Sequence, residues 1–463
     1  MLLWLGLLAL THFAMGQDSP VCIIGAGIAG LKASSDLEKA QIPYIIVEGS
    51  SRIGGRVYPV QFEDGYLQAG ATYINGDNNP IYTIAKDNGL LNITATHEGD
   101  DYVPIHTQNE VIQGRDLREF TDFADGLEAK YEKFAENGRD EETLAAAFEK
   151  EYQKFLGKNN RSDRRSRFDS LARMYLTDEE NEWAATMSNF ALENYATFDD
   201  GSEDGTEFAL NKIGFKGILD AIAANIPQSK IKFNTIVNNI DYSSGSSVRL
   251  STSTGSITCR SLIVTCSLGY LKRHSNSLFT PSLPQRKTMA INALGFGNNQ
   301  KVFFVYDRPW LEKVQYRTMG PSTSPIFGRG LTFDVTPWSR KTVQFWFSGP
   351  AVESIGGMSD EQLMGEITTH LKLTLKNITV PTPERVVRHM WYSDSLILGS
   401  YSWHTPASVA LGDANKMLAD PIMGTNGRPL VQFAGEATDS TIYQTTIGAF
   451  LSGQREAKRL TKK

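Results

Sequence analysis

The spacing of apolar positions changes several times along the chain, and each change predicts a different kind of element. Residues 21–24 (Val-Cys-Ile-Ile) are an unbroken apolar run, the signature of a strand buried on both faces. Gly25-Ala26-Gly27-Ile28-Ala29-Gly30 follows and turns into a helix predicted to reach about Ala40, and residues 44–47 form a second strand ending at Glu48. From about 116 to 194 the sequence is charged and helix-favouring. Leu117, Phe120, Phe123 and Leu127 recur there at helical spacing, and the charge run at 140–150 reads as a solvated helix face. Residues 231–264 turn to short alternating runs broken by Ser-Ser-Gly and Thr-Gly, which is a β pattern. Aromatic strands and a helix near 360–375 occupy 301–391, and 430–460 returns to strand, turn, helix. No repeat or low-complexity linker interrupts this order, so the reading is an α/β chain whose two domains are each visited more than once.

The N-terminus stands apart. The leucine-rich run at 2–10 is too short to cross a bilayer but suits the core of a signal peptide. Ala14-Met15-Gly16 puts small residues where a signal peptidase reads, which predicts cleavage before Gln17 and an exported protein. No Lys or Arg precedes the run, and a buried apolar strand or helix is the alternative. No later segment is apolar for long enough to span a membrane, and the C-terminal Leu460-Thr461-Lys462-Lys463 is not a peroxisomal or ER-retention address.

Composition adds a few exclusions. A net charge of −6 over 463 residues argues against a nucleic-acid binder and allows a cationic ligand without demanding one. Three cysteines (Cys22, Cys259, Cys266) are too few for a disulfide scaffold, and their apolar, strand-like settings predict buried free thiols. The seven histidines show no pairing at ligand spacing, so no metal site is expected. Sequons at Asn92, Asn160 and Asn377 would be acceptors in an exported chain.

The strongest chemical signal is the glycine turn in its context. After a strand and before a helix, Gly25 permits the tight turn, Gly27 lets the backbone approach a pyrophosphate, and Gly30 lets helix and strand pack closely. The helix N-terminus offers N–H groups and a partial positive charge to phosphates. Glu48, at the end of the second strand, is placed to accept from a ribose diol and would repel a 2′-phosphate.

Arg52-Ile53-Gly54-Gly55-Arg56 then resembles the Gly-Gly-Arg loop of the flavin amine oxidases, and the resemblance extends over nearly the whole mature chain. Gly70-Ala71-Thr72-Tyr73-Ile74-Asn75-Gly76 resembles the loop beside the flavin ring in that family. Residues 227–240 resemble its returning strand pair, in which Val237 touches the adenine through its backbone. Residues 433–438 and 443–449 resemble its C-terminal flavin signature, with Glu436 on the ribityl–phosphate part and Thr445 and Thr446 at the start of a helix aimed at the flavin. Trp391 and Gly399-Ser400-Tyr401-Ser402 resemble the segment over the isoalloxazine. Within the family the chain is most similar to the animal spermine and acetylpolyamine oxidases.

The resemblance implies a Rossmann-type FAD-binding domain (17–85, 210–290, 392–463) interleaved with a mixed α+β substrate domain (86–209, 291–391). It implies FAD held without a covalent link, since no cysteine lies near Tyr401. The cofactor contacts would be Gly25, Gly27, Gly30, Glu48, Arg56, Gly70, Ala71, Thr72, Tyr73, Val237, Trp391, Glu436, Thr445 and Thr446. Lys301 matches the active-site lysine that holds a water near flavin N5, although a strand-edge charge is its plain alternative. Asn75, Tyr401 and Tyr443 would face the substrate, and Glu193, Asp199 and Glu207 are acidic candidates for its path.

Four positions depart from the pattern. Asn75 and Ile447 stand where histidines are found, Gln68 where a glutamate is common, and Leu398 where an arginine precedes Gly-Ser-Tyr. The implied reaction is oxidation of a C–H beside an amine nitrogen, with hydride passing to flavin N5, hydrolysis to a carbonyl, and dioxygen reduced to hydrogen peroxide. A small amine and dioxygen are thus the expected partners, and oligomeric state stays open. Two rival readings stay open: an oxidase of another amine or of an L-amino acid, and an exported FAD-binding protein without turnover.

Overall fold

The computed structural model describes residues 19–96, 103–158, 162–199 and 206–461; the expected leader at 1–16 and the sequon at Asn160 lie outside them. The apolar run forms strand β1 (Val21–Ile24), buried throughout. Helix α1 (Ile28–Lys39) follows the glycine turn, and β2 (Tyr44–Val47) follows the helix. β1 lies parallel between β2 and strand Ser261–Val264, with Ile24 opposite both Val47 and Val264. The full six-stranded order is Ile231–Lys232, β2, β1, Ser261–Val264, Pro429–Phe433, Ile422–Met423. All its pairings but that of the edge strand Ile422–Met423 are parallel, and a sheet this apolar needs cover on both faces, which alternate residues supply. Val21, Ile23 and Ile46 pack under α1 and the C-terminal helix Thr446–Thr461, while Cys22, Ile24 and Val47 join Val237, Ile240, Val248 and Leu250 on the other face. At the first of these contacts a Cβ on Gly30 would lie 2.0 Å from the Gly25 carbonyl oxygen, so a side chain there would push α1 off the sheet.

A second sheet of seven strands carries the aromatic segment. Its order is Arg385–Arg388, β3 (Asn299–Val305), Thr342–Ser348, Leu331–Val335, Gln315–Met319, Ile105–Thr107, Val111–Ile112. Phe304, Phe333 and Phe345 interleave on one face with Leu363, Ile367 and Leu371 of helix Asp360–Thr374. The chain alternates between the two sheets, which opens a cleft between distant segments. Helix α2 (Arg165–Trp183) and a three-stranded sheet (Ile74–Asn75, Glu207–Leu210, Leu91–Thr96) add walls to that cleft, and the latter sets Asn75 opposite Glu207.

The expectation of three free thiols is wrong for two of them. Cys22 and Cys259 form a disulfide with Cα atoms 5.7 Å apart, and only Cys266 is free. Their separation of 237 residues hid the pairing. Parallel pairing of β1 with Ser261–Val264 brings the chain just before Ser261 alongside β1. Closing so long a loop constrains the unfolded chain strongly, so replacing both cysteines with Ser should cost about 2–5 kcal/mol. Urea unfolding of the double variant measures this, and an unchanged midpoint would mean that the link does not form in solution.

Candidate active site

One cavity of about 510 Å³ runs between the sheets, and it gathers residues from nearly every segment picked out in the sequence. At one end α1 begins without a side-chain cap and with no acidic residue in its first turn, so its first N–H groups are free to meet an anion. Gly25, Gly27, Gly54 and Gly55 line this end. Glu48 lines it too, and its carboxylate is fixed by the backbone: Ala26 N–H donates to Oε2 at 2.6 Å and Ser50 N–H to Oε1 at 2.7 Å. Val237 completes the wall beyond it.

Further in, Arg56 Nη1 donates to the Ser400 carbonyl and to Glu436 Oε1, both at 2.7 Å. Glu436 is buried, and its second oxygen accepts from Ser402 Oγ at 2.6 Å and Gln444 N–H at 3.0 Å. Glu436 therefore anchors Arg56 and ties together three distant stretches of chain. Thr445 Oγ1 accepts from Gly448 N–H at 3.0 Å, starting the C-terminal helix at the cavity wall.

Gly70, Ala71, Thr72 and Tyr73 form the adjoining wall, facing Trp391, whose Nε1 donates to the Ala69 carbonyl at 3.1 Å. Lys301 sits in mid-strand of β3, opposite Trp346, not at an edge. Its Nζ donates to the Gly70 carbonyl and Thr72 Oγ1, and lies 5.1 Å from the Trp346 ring. Burial pushes its pKa down to about 7, so this ammonium can give up and regain a proton near neutral pH.

The far end is acidic. Asp178, Asn181 and Glu182, on one face of α2, line the cavity with Glu207 and Asp334. Arg317 Nη2 lies 3.3 Å from Asp178, and Asp334 accepts from Trp346 Nε1 at 3.0 Å. Asn75 Nδ2 donates to Glu207 Oε1 at 3.1 Å. The Tyr401 hydroxyl donates to the backbone of Asn181 and Glu182, both at 3.0 Å, and aromatic Tyr73, Phe198 and Trp346 fill the remaining wall.

Some expected positions lie elsewhere. Gly30 is behind the turn and acts through packing. Tyr443 does not face a substrate: it is fully buried behind the wall, its hydroxyl 2.9 Å from Asn194 Oδ1 and its ring stacked on His404. The chain reverses at Gln444 (φ 68°), which turns Tyr443 inward and Gln444, Thr445 and Thr446 toward the cavity. Ile447 is core, packed with Phe450 and Ala457. Of the acidic candidates only Glu207 lines the cavity; Glu193 lies against His404. Asp178, Asn181 and Glu182 were missed, although their i, i+3, i+4 spacing marks one helix face. Among the described residues, no group of three or more His, Cys, Asp and Glu could hold a metal ion, and no helix is long and apolar enough to cross a membrane.

Comparison with known proteins narrows what this cavity holds. The model of the family described as flavin containing amine oxidoreductase matches residues 28–461. The chain is 27% identical to the bovine peroxisomal N(1)-acetyl-spermine/spermidine oxidase, over 96% of this chain and 95% of that protein. It is 28% identical to the probable polyamine oxidase 5 of Arabidopsis thaliana, over 97% and 99%. The solved cyclohexylamine oxidase of Brevibacterium oxydans shares the fold at a TM-score of 0.73 and 18% identity, over 96% of this chain and 99% of that one. The residues present suit the dinucleotide such a family carries: a free helix N-terminus for the diphosphate, Glu48 for a ribose, Arg56 near the centre, and the Gln444 Nε2 donor, buried without a protein partner.

Proposed function

Because the chain belongs to the flavin containing amine oxidoreductase family and is an FAD-dependent amine oxidase, we propose that it oxidises a C–N bond of a polyamine outside the cell. The observation that carries the substrate class is the acidic end of the cavity. Asp178, Glu182, Glu207 and Asp334 line it against the two cations Lys301 and Arg317. Excess negative charge along a cleft stabilises a ligand with more than one cationic nitrogen, and it repels the carboxylate of an amino acid.

Bound FAD would supply the two-electron oxidation of the carbon beside the amine nitrogen, with dioxygen as the final acceptor and hydrogen peroxide as its product. The protein's own residues do the rest. Glu48, Arg56 and the start of α1 hold the cofactor, and no covalent link is needed. Tyr73, Tyr401, Trp346 and Trp391 enclose the reacting amine and exclude water, which favours its neutral, hydride-donating form. Lys301 Nζ, held by Gly70 and Thr72, moves a proton beside the reacting centre. Peroxide release measured with spermine, a simple monoamine and an L-amino acid tests the reading. Spermine should be strongly preferred, and a monoamine or amino acid preferred over spermine would overturn it.

Asn75 tunes this end. It gives Glu207 a neutral partner, whereas a histidine there would be cationic below roughly pH 6.5, and higher beside a carboxylate. Asn75→His should therefore raise KM for spermine about tenfold near pH 6, by offsetting one negative charge, with the difference gone by about pH 9. KM against pH measures it, and an unchanged profile and amine ranking would place Asn75 outside the substrate path.

Two features support export: the leader expected at 1–16, and the Cys22–Cys259 disulfide, a link that persists in oxidising compartments. Mass spectrometry of protein from the medium of a eukaryotic host should find a chain starting at Gln17. Retention inside the cell with Met1 intact would contradict it.

A further inference from the structure

One hydrogen bond holds the aromatic wall beside Lys301. Trp346 stands opposite Lys301 where strand Thr342–Ser348 pairs with β3, and its ring lies 5.1 Å from Lys301 Nζ. Val343, Phe345 and Phe347 of the same strand enter the core beneath helix Asp360–Thr374, so strand alternation turns Trp346 the other way, into the cavity. There the indole is only half-buried, and the torsion that turns its plane is a broad one. Packing alone sets that plane loosely.

Asp334, on strand Leu331–Val335, fixes it. Asp334 pairs with Gln344, two residues before Trp346, which makes it a diagonal neighbour of the indole on the cavity face. Trp346 Nε1 donates to its Oδ2 at 3.0 Å, and a bond from N–H to a carboxylate is among the stronger kinds. In sheet order the strands run β3, Thr342–Ser348, Leu331–Val335. The indole therefore bridges the two charges, with Lys301 over its ring and Asp334 at its N–H.

We propose that Asp334 is a positioning residue for amine oxidation: through the Trp346 indole it sets the wall beside Lys301 against which the reacting amine is oriented. Its charge also belongs to the acidic end of the cavity, and the two effects are separable. The charge draws in a polycation and acts on KM. The hydrogen bond aims the indole and acts on the rate at saturation. This role rests on the polyamine oxidase reading above.

Asparagine separates the two effects, because its Oδ1 still accepts from the indole while the charge is gone. Anaerobic flavin reduction in the holoenzyme, followed over a range of spermine concentrations, gives a limiting rate and a half-saturating concentration. Asp334→Asn should keep the limiting rate within about twofold and raise the half-saturating concentration. Asp334→Ala should lose at least about tenfold in the limiting rate, the scale of a small misplacement near the reacting centre. Trp346→Phe keeps a ring but has no N–H, and should lose as much. The double variant of Asp334→Ala with Trp346→Phe should lose no more than either alone. Three results would overturn the role while leaving the oxidase reading intact: equal limiting rates in Asp334→Asn and Asp334→Ala, a wild-type limiting rate in Trp346→Phe, or losses that multiply in the double variant.

A second readout needs no turnover. Hydrogen exchange at the indole N–H is followed by NMR on protein labelled with nitrogen-15 at tryptophan, and the signal missing from Trp346→Phe is that of Trp346. It should exchange slowly in the wild type and in Asp334→Asn, and at least about tenfold faster in Asp334→Ala. Equal exchange in all three would mean that Asp334 does not hold the indole. A wild type that no amine bleaches would remove the oxidase reading and this role with it.

Discussion

Replacing Lys301 with Met should cut turnover by about tenfold to a hundredfold, the scale for losing one positioned proton-transfer group, while FAD stays bound. Methionine keeps the length and most of the volume of the side chain, so the buried mid-strand position of β3 should remain filled. What is lost is the pair of donors to Gly70 and Thr72 and a group whose pKa burial has brought to about 7. The sign of its pH dependence follows from that value. Above about 7 the amine form predominates and accepts a proton; below it the ammonium form donates. A limb near pH 7 in the wild-type oxygen reaction should therefore be missing from Lys301→Met. Stopped-flow absorbance separates the amine and oxygen half-reactions, and wild-type rates in both would reduce Lys301 to a structural cation.

The second large effect concerns cofactor retention. Arg56→Met leaves Glu436 buried with its Oε1 partner gone, and breaking such a pair costs about 3–5 kcal/mol. Because Glu436 also holds Ser402 and Gln444, the loss should loosen the Ser400–Tyr401 wall and the entry to the C-terminal helix together. The purified variant should be largely colourless and melt earlier. Adding Glu436→Gln to Arg56→Met should restore much of the melting temperature, since no buried charge is then stranded, but not the FAD content. Full FAD occupancy in Arg56→Met would show that the pair serves the fold alone.

The sequence made the cofactor end legible and left the substrate end dark, for a physical reason. The cofactor end is built from local patterns: strand, glycine turn, helix and an acidic residue at fixed offsets, each recognisable within about thirty residues. β1, α1 and β2 accordingly lie within a residue of their expected bounds. The substrate end is assembled from α2, strand Glu207–Leu210 and strands 315–334, which only the closed fold brings together. The charged stretch Thr177-Asp178-Glu179-Glu180-Asn181-Glu182 reads in sequence only as part of a charged, helix-favouring segment, yet one side of it is cavity wall. Tyr443 shows the opposite error, a motif neighbour carried into the site by proximity in sequence when the reversal at Gln444 points it away. The disulfide was hidden because 237 residues separate its halves.

The central claim is that this cavity oxidises a polycationic amine, and its most direct test is anaerobic titration of the purified yellow protein. Spermine, spermidine, an N-acetylated polyamine, a simple monoamine and an L-amino acid would be added in turn while the visible absorbance is followed. Loss of colour with the polyamines, at lower concentration than with the monoamine or amino acid, is the predicted result. Colour that persists with every amine, or is lost first with the monoamine or the amino acid, would contradict it.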